Sequence, residues 1–345
     1  MLDKAPARRY NEPSAEEEAN RCRFAFPFER MRRNAMPIRI NEAMPVVQRL
    51  RDEQIFVMPE SRAATQDIRE LEIAILNIMP NKEDTELQLL RLLSNSPLQV
   101  RPTFLRLDSH RYKHTPEDYL SRYYRAFSAV KDRCFDGLII TGAPVENLPF
   151  EEVDYWQEIS EIFVWSNTHV TSTVHICWAA QAGLFFHYGI QKHPLPQKLS
   201  GIYSHRTLYR QESLTRGFND IFHAPHSRYT GIDRADIEAN PNLTILADSE
   251  LAGPYIIQDK RHGKIFITGH PEYSRATLAH EYFRDVKKGI NPAIPRRYFA
   301  EDDPEQEPIF QWKAHAYLLF SNWLNYEVYQ ETPYDLNLIN YTQQK

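Results

Sequence analysis

The sequence predicts an α/β protein: a mostly parallel sheet flanked by helices on both faces, with an antiparallel extension. Three observations predict it. After Met36, apolar β-branched runs alternate with stretches of helical periodicity. One of those runs ends on a cysteine and passes at once into a helix, and residues 199–268 change to short strand-like pieces separated by Asn, Asp, Gly and Pro.

Taken in order, residues 73–78 read as a buried strand, and residues 83–93 as a helix with leucines at 87, 89, 90, 92 and 93. A strand over 98–105, a helix near 116–131, a strand over 137–140 and a helix over 154–167 follow. The β-branched run 170–177 is a strand feeding a helix at 178–186. The antiparallel stretch is expected as strands at 207–210, 228–232, 243–247 and 255–258, returning to a core strand at 264–268. A helix over 275–288, a Pro-rich connection through Pro308 and an aromatic helix over 312–329 complete the chain. In sheets of this kind ligands gather at the carboxyl ends of the strands.

Composition narrows the function. A chain of 345 residues with net charge −5 does not offer the basic face that phosphate backbones need, so a nucleic-acid partner is not expected. No apolar run approaches the ~20 residues that cross a bilayer, which predicts a soluble protein without a membrane partner. Cys22, Cys134 and Cys177 are too few and too scattered for a disulfide framework or a zinc site, and a reducing cytoplasm fits them. His205, His223, His226 and His262 lack metal-ligand spacing, and no glycine motif cradles a nucleotide; no metal is expected. Residues 1–35 are polar and aperiodic and carry no apolar core of a signal, so they read as a disordered extension or as the product of a start codon placed too early, with Met36 the functional beginning and 36–345 a single α/β domain.

The chemistry starts at Cys177. A side chain at a strand-to-helix turn is presented above the sheet, where helix amides favour a thiolate and can hold an oxyanion. The competing reading is a small buried hydrophobe, the usual place of a free cysteine. A second segment bears on the choice: residues 264–268 run into Gly269-His270-Pro271-Glu272. Pro271 pushes His270 into an extended conformation, so His270 and Glu272 project from one side of the chain. Thiol, imidazole and carboxylate together make the nucleophile, base and orienting acid of acyl chemistry. The amide of Trp178, at the helix start, is the candidate oxyanion donor. Lys82, after the first core strand, either adds charge there or is a solvated helix-start lysine. His175 reads as a hydrogen-bonded core residue.

A cysteine on such an elbow with a later His-Pro-Glu resembles the class I glutamine amidotransferase-like fold, but His175 and Ala179 stand where its amidotransferases carry glycines. From Met36 to Tyr341 the chain more closely resembles the homoserine O-acyltransferases of that superfamily, which open bacterial methionine biosynthesis. The likeness rests on Met36-Pro37-Ile38-Arg39-Ile40, Leu76-Asn77-Ile78-Met79-Pro80-Asn81-Lys82, Lys198-Leu199-Ser200-Gly201, Ala224-Pro225-His226-Ser227-Arg228-Tyr229 and Thr268-Gly269-His270-Pro271-Glu272-Tyr273, among others. The resemblance implies a catalytic Cys177, His270 and Glu272, and substrate contacts from Lys198, Ser227 and Arg284, residue types otherwise expected at the surface. It implies no bound cofactor, acetyl-CoA as co-substrate, L-homoserine as acceptor and a homodimer. Glu146 occupies a place that resembles a glycine in succinyl-specific members; a carboxylate there fills space and repels a succinyl chain, so acetyl is expected. A homoserine O-succinyltransferase, a glutaminase-type amidotransferase subunit and a noncatalytic binding module remain the alternatives.

Overall fold

The computed structural model describes residues 38–53, 55, 57–58 and 69–339. The expected N-terminal extension, and Cys22 with it, lies outside the described residues.

Twelve strands among the described residues form one sheet. In chain order they are β1 (Ile38–Arg39), β2 (Val57–Met58), β3 (Leu71–Leu76), β4 (Val100–Arg106), β5 (Arg125–Ala126), β6 (Phe135–Ile140), β7 (Val170–Ile176), β8 (Lys192–Thr207), β9 (Ile221–Ile232), β10 (Thr244–Ser249), β11 (Gly253–Asp259) and β12 (Lys264–Ile267). The helices are α1 (Val46–Asp52), α2 (Lys82–Leu93), α3 (Glu117–Tyr123), α4 (Trp156–His169), α5 (Trp178–Tyr188), α6 (Arg234–Glu238), α7 (Thr277–Lys287) and α8 (Lys313–Asn322).

Across the sheet the order is β2-β1-β4-β3-β6-β7-β12-β11-β10-β8-β9, with β5 added beside β4. Every pairing from β2 to β12 is parallel, and every one from β12 to β9 is antiparallel. Strand period explains the two covered faces. Ile73 and Ile75 of β3 enter a core with the leucines of α2, while Ala74 and Leu76 enter another with Ile159 and Ile162 of α4 and Trp178 of α5. No helix among the described residues is long and apolar enough to cross a membrane.

Three expectations are corrected. The helix expected over 116–131 stops at Tyr123, because Tyr124 turns extended and buries its hydroxyl against Glu86 and Asn77; the next two residues then pair with β4. The strand expected at 207–210 ends instead at Thr207, as the tail of a 16-residue β8 that pairs with β9. Pro194 and Pro196 argue against a strand at its front; Pro194 is the last pair, with Thr230, before a register shift that runs to Leu199, and Pro196 lies within that shift, where the ladder tolerates it. The aromatic helix over 312–329 is α8 followed by a π-helical segment, Trp323–Tyr329. Trp323 is drawn in by its indole bond to Ser172 Oγ at 3.0 Å and by Gly137, where a methyl group would lie 2.8 Å from its ring.

Candidate active site

Two neighbouring parallel strands, β7 and β12, build the reactive line. Their register sets Ile176 opposite Ile267, and the amide of Cys177 donates to the carbonyl of Ile267 at 2.7 Å. The residue after one strand therefore stands beside the run that leaves the other. Cys177 has φ 53° and ψ −112°, a left-handed conformation that turns the chain sharply from β7 into α5. It is buried, and the carbonyl of Cys177 accepts from the amides of Ala180 and Gln181. The amides opening α5, that of Trp178 among them, have no acceptor within the helix. The Trp178 ring itself packs between Phe150 and Tyr155.

His270 lies three residues past β12, its backbone amide fixed to the carbonyl of Pro225 at 2.9 Å. Nδ1 of His270 contacts Glu272 Oε1 at 2.7 Å, and the ring stacks on Tyr273 with centroids 4.1 Å apart. The thiol of Cys177 is a hydrogen-bond partner of the same imidazole. Burial alone would lower the pKa of His270; the Cys177 and Glu272 charges, each backed by a hydrogen bond, outweigh it and hold the group well above its usual value. Gly142 leaves room for this meeting: a methyl group there would lie 3.3 Å from Cβ of Cys177 and 3.5 Å from Cε1 of His270. Thiol, imidazole and carboxylate, expected from separate segments, thus form one buried line.

Cys177 and His270 open on a cavity of about 830 Å³ whose wall also includes Lys82, Glu146, Lys198, Ser227 and Arg284. Lys198 lies 3.3 Å from Asp285 and 3.6 Å from Glu281. Ser227 donates to Glu281, and Arg284 binds Asp285 at 2.8 Å. Lys82 is not the solvated alternative. Its ammonium donates to the carbonyl of Asn77 and sits 4.2 Å from the centroid of the Tyr112 ring. Burial lowers its pKa to about 7, although the charge of Glu86 opposes the shift. Glu146 is half-buried in the loop after β6.

Sequence reasoning missed Glu281, Asp285 and Tyr273. Tyr273 donates to Glu281 Oε1 at 2.7 Å, which makes Glu281 the hub of the cationic and hydroxyl groups in the cavity. A signal existed: Glu281 stands three residues before Arg284, on the same helical face. His175 takes the place expected of a hydrogen-bonded core residue. His175 is buried with Nδ1 3.1 Å from the carbonyl of Ile265, and burial pushes it down to about 3. His205 and His226 meet ring to ring inside the extension, and no metal-holding cluster occurs among the described residues.

The family model for homoserine O-succinyltransferase matches residues 37–334. A homoserine O-acetyltransferase of Lachnospira eligens is 55% identical over 302 residues, covering 88% of this chain and 97% of that protein. One from Thermotoga neapolitana is 56% identical over 305 residues, covering 88% of this chain and 100% of its own. Among solved structures, that of SMU.1228c is similar in fold alone, with TM-score 0.50 and 17% identity over 73% of this chain and 97% of that one.

Proposed function

The chain belongs to the homoserine O-succinyltransferase family, and we propose that it transfers acetyl, not succinyl, from acetyl-CoA to the hydroxyl of L-homoserine. One observation carries the reading: a buried Cys177–His270–Glu272 line reaches, through Cys177 and His270, a cavity whose wall holds Glu146 and the charged cluster of Lys198, Glu281, Arg284 and Asp285.

In the first half-reaction the sulfur of Cys177 attacks the thioester carbonyl of acetyl-CoA. The thiol proton passes to His270 and then to the departing CoA sulfur, leaving an acetyl-cysteine thioester. Glu272 accepts from Nδ1, fixes the tautomer and balances the imidazolium. The tetrahedral oxyanion is received by the amide of Trp178, a kind of donor whose removal costs about 3 to 4 kcal/mol. Lys82 supports that site in its charged form, which prevails below about pH 7.

In the second half-reaction the hydroxyl of homoserine attacks the acetyl-cysteine and gives its proton to His270. Collapse forms the O-acetyl ester and returns the sulfur to its starting state. Thioester exchange is nearly isoenergetic, so the covalent step is cheap, and transfer to oxygen runs downhill. Lys198 and Arg284 suit the amino acid's carboxylate, Ser227 gives a hydrogen bond, and Glu281 is the counter-charge for its ammonium. O-acetylhomoserine would then serve methionine formation in the cytoplasm. Exclusion of succinyl rests on Glu146, whose carboxylate would face that of a succinyl chain.

Steady-state kinetics with acetyl-CoA and succinyl-CoA, each against homoserine and serine, tests the reading. The expected result is a higher kcat/KM for acetyl-CoA with homoserine; a preference for succinyl-CoA overturns the donor assignment, and ammonia release from glutamine instead would overturn the class.

A further inference from the structure

We propose that Lys192 is the residue that fixes the donor-specificity loop, and so holds Glu146 against the acyl group; this rests on the proposed role of Glu146 in donor choice. The loop after β6 is tied at its start, where the amide of Thr141 donates to the carbonyl of Leu76 at 3.1 Å. It is tied again at its end by the buried ring of Phe150, which stacks on Phe185 with centroids 4.9 Å apart. Between these ties, residues 144–149 are exposed or half-buried, with one turn bond from the amide of Leu148 to the carbonyl of Val145. Such a segment drifts unless something crosses it.

Lys192, at the start of β8, is what crosses it. Its ammonium donates to the carbonyl of Glu146 at 2.7 Å and to that of Leu148 at 2.5 Å. It also lies 4.2 Å from the centroid of the Phe150 ring. One cation thus joins the backbone of the specificity residue to the aromatic anchor of the same loop. The hydrogen bonds of its ammonium go to these two carbonyls, and the charges of Glu146 and Glu151 act on it as well. Burial draws its pKa down, the proximity of Glu146 opposing that shift, as expected of an ammonium engaged inside the structure. Because the contact is to the carbonyl of Glu146, Lys192 aims that side chain without touching substrate. It is a positioning residue.

The test compares kcat/KM for acetyl-CoA and for succinyl-CoA in the full-length wild type, K192M, K192R and E146G. Loss of two charge-assisted hydrogen bonds should raise the succinyl-to-acetyl ratio of K192M about tenfold. K192R, which keeps a cation, should recover most of the wild-type ratio, and the KM for homoserine should stay put in both. Hydrogen exchange at residues 144–149 should quicken in K192M, a readout that also serves if its turnover is low. An unchanged ratio and unchanged exchange in K192M, with E146G relaxed, overturns the role of Lys192 and leaves that of Glu146 standing. An unchanged ratio in E146G removes the Glu146 reading, and the positioning role of Lys192 with it.

Discussion

At the scale of single residues, the imidazole beside the thiol is held by a carboxylate. Glu272 binds Nδ1 of His270 at 2.7 Å inside a pocket where burial by itself would strip the ring of its proton. Interaction with Cys177 and Glu272, each backed by a hydrogen bond, outweighs that burial and holds the pKa of His270 well above its usual value. Glu272→Gln keeps the shape and a hydrogen-bond acceptor but removes the charge. It should lower kcat about a hundredfold or more while leaving the unfolding midpoint near that of the wild type. Stopped-flow acylation and a urea melt measure the two; a rate close to wild type would mean that the charge of Glu272 is idle.

At the scale of elements, the decisive feature is the turn between β7 and α5. A cysteine at φ 53° holds a conformation that side chains with a Cβ rarely adopt, and such residues cost of order 1–3 kcal/mol each. The surrounding strands and helix hold it there to present the sulfur. Removing the side chain in two ways should expose this strain: Cys177→Gly should be more stable than Cys177→Ala by about 1 kcal/mol, after the entropic cost of glycine. Equal or reversed stabilities in denaturant melts would show that the turn relaxes. The elbow was legible in the sequence because a β-branched run stops at Cys177 and a helix-forming run starts at Trp178. His270 and Glu272 were legible because Pro271 dictates the local backbone. The long β8–β9 hairpin was not, since Pro194 and Pro196 argue locally against a strand, and only pairing across the register shift overrides them. Nor was the end of α3, where a tertiary hydrogen bond from Tyr124 to Glu86 beats helical periodicity. Glu281 was missed for a similar reason: its worth lies in Ser227, Tyr273 and Lys198, which come from other elements.

At the scale of the whole molecule, strand order is what creates the site. β12 follows β7 by a long excursion through β8 to β11, yet returns to lie parallel beside it, so Cys177 and His270 emerge at the same carboxyl edge. The excursion also carries Lys198 and Ser227 to that edge, while α7, beyond β12, brings Glu281 and Arg284. The sheet thus divides labour under the proposed function: its parallel half would supply the nucleophile Cys177 and the loop of Glu146, its antiparallel half the strands that carry Lys198 and Ser227. Such an arrangement makes sense if the acyl group is parked on sulfur between the arrival of one substrate and the other. Intact-mass spectrometry after mixing the protein with acetyl-CoA alone is the most direct test. The expected result is a gain of one acetyl group, mapped to Cys177, absent from Cys177→Ser and discharged on adding homoserine; no adduct, or one that Cys177→Ser retains, would rule out an acyl-cysteine intermediate.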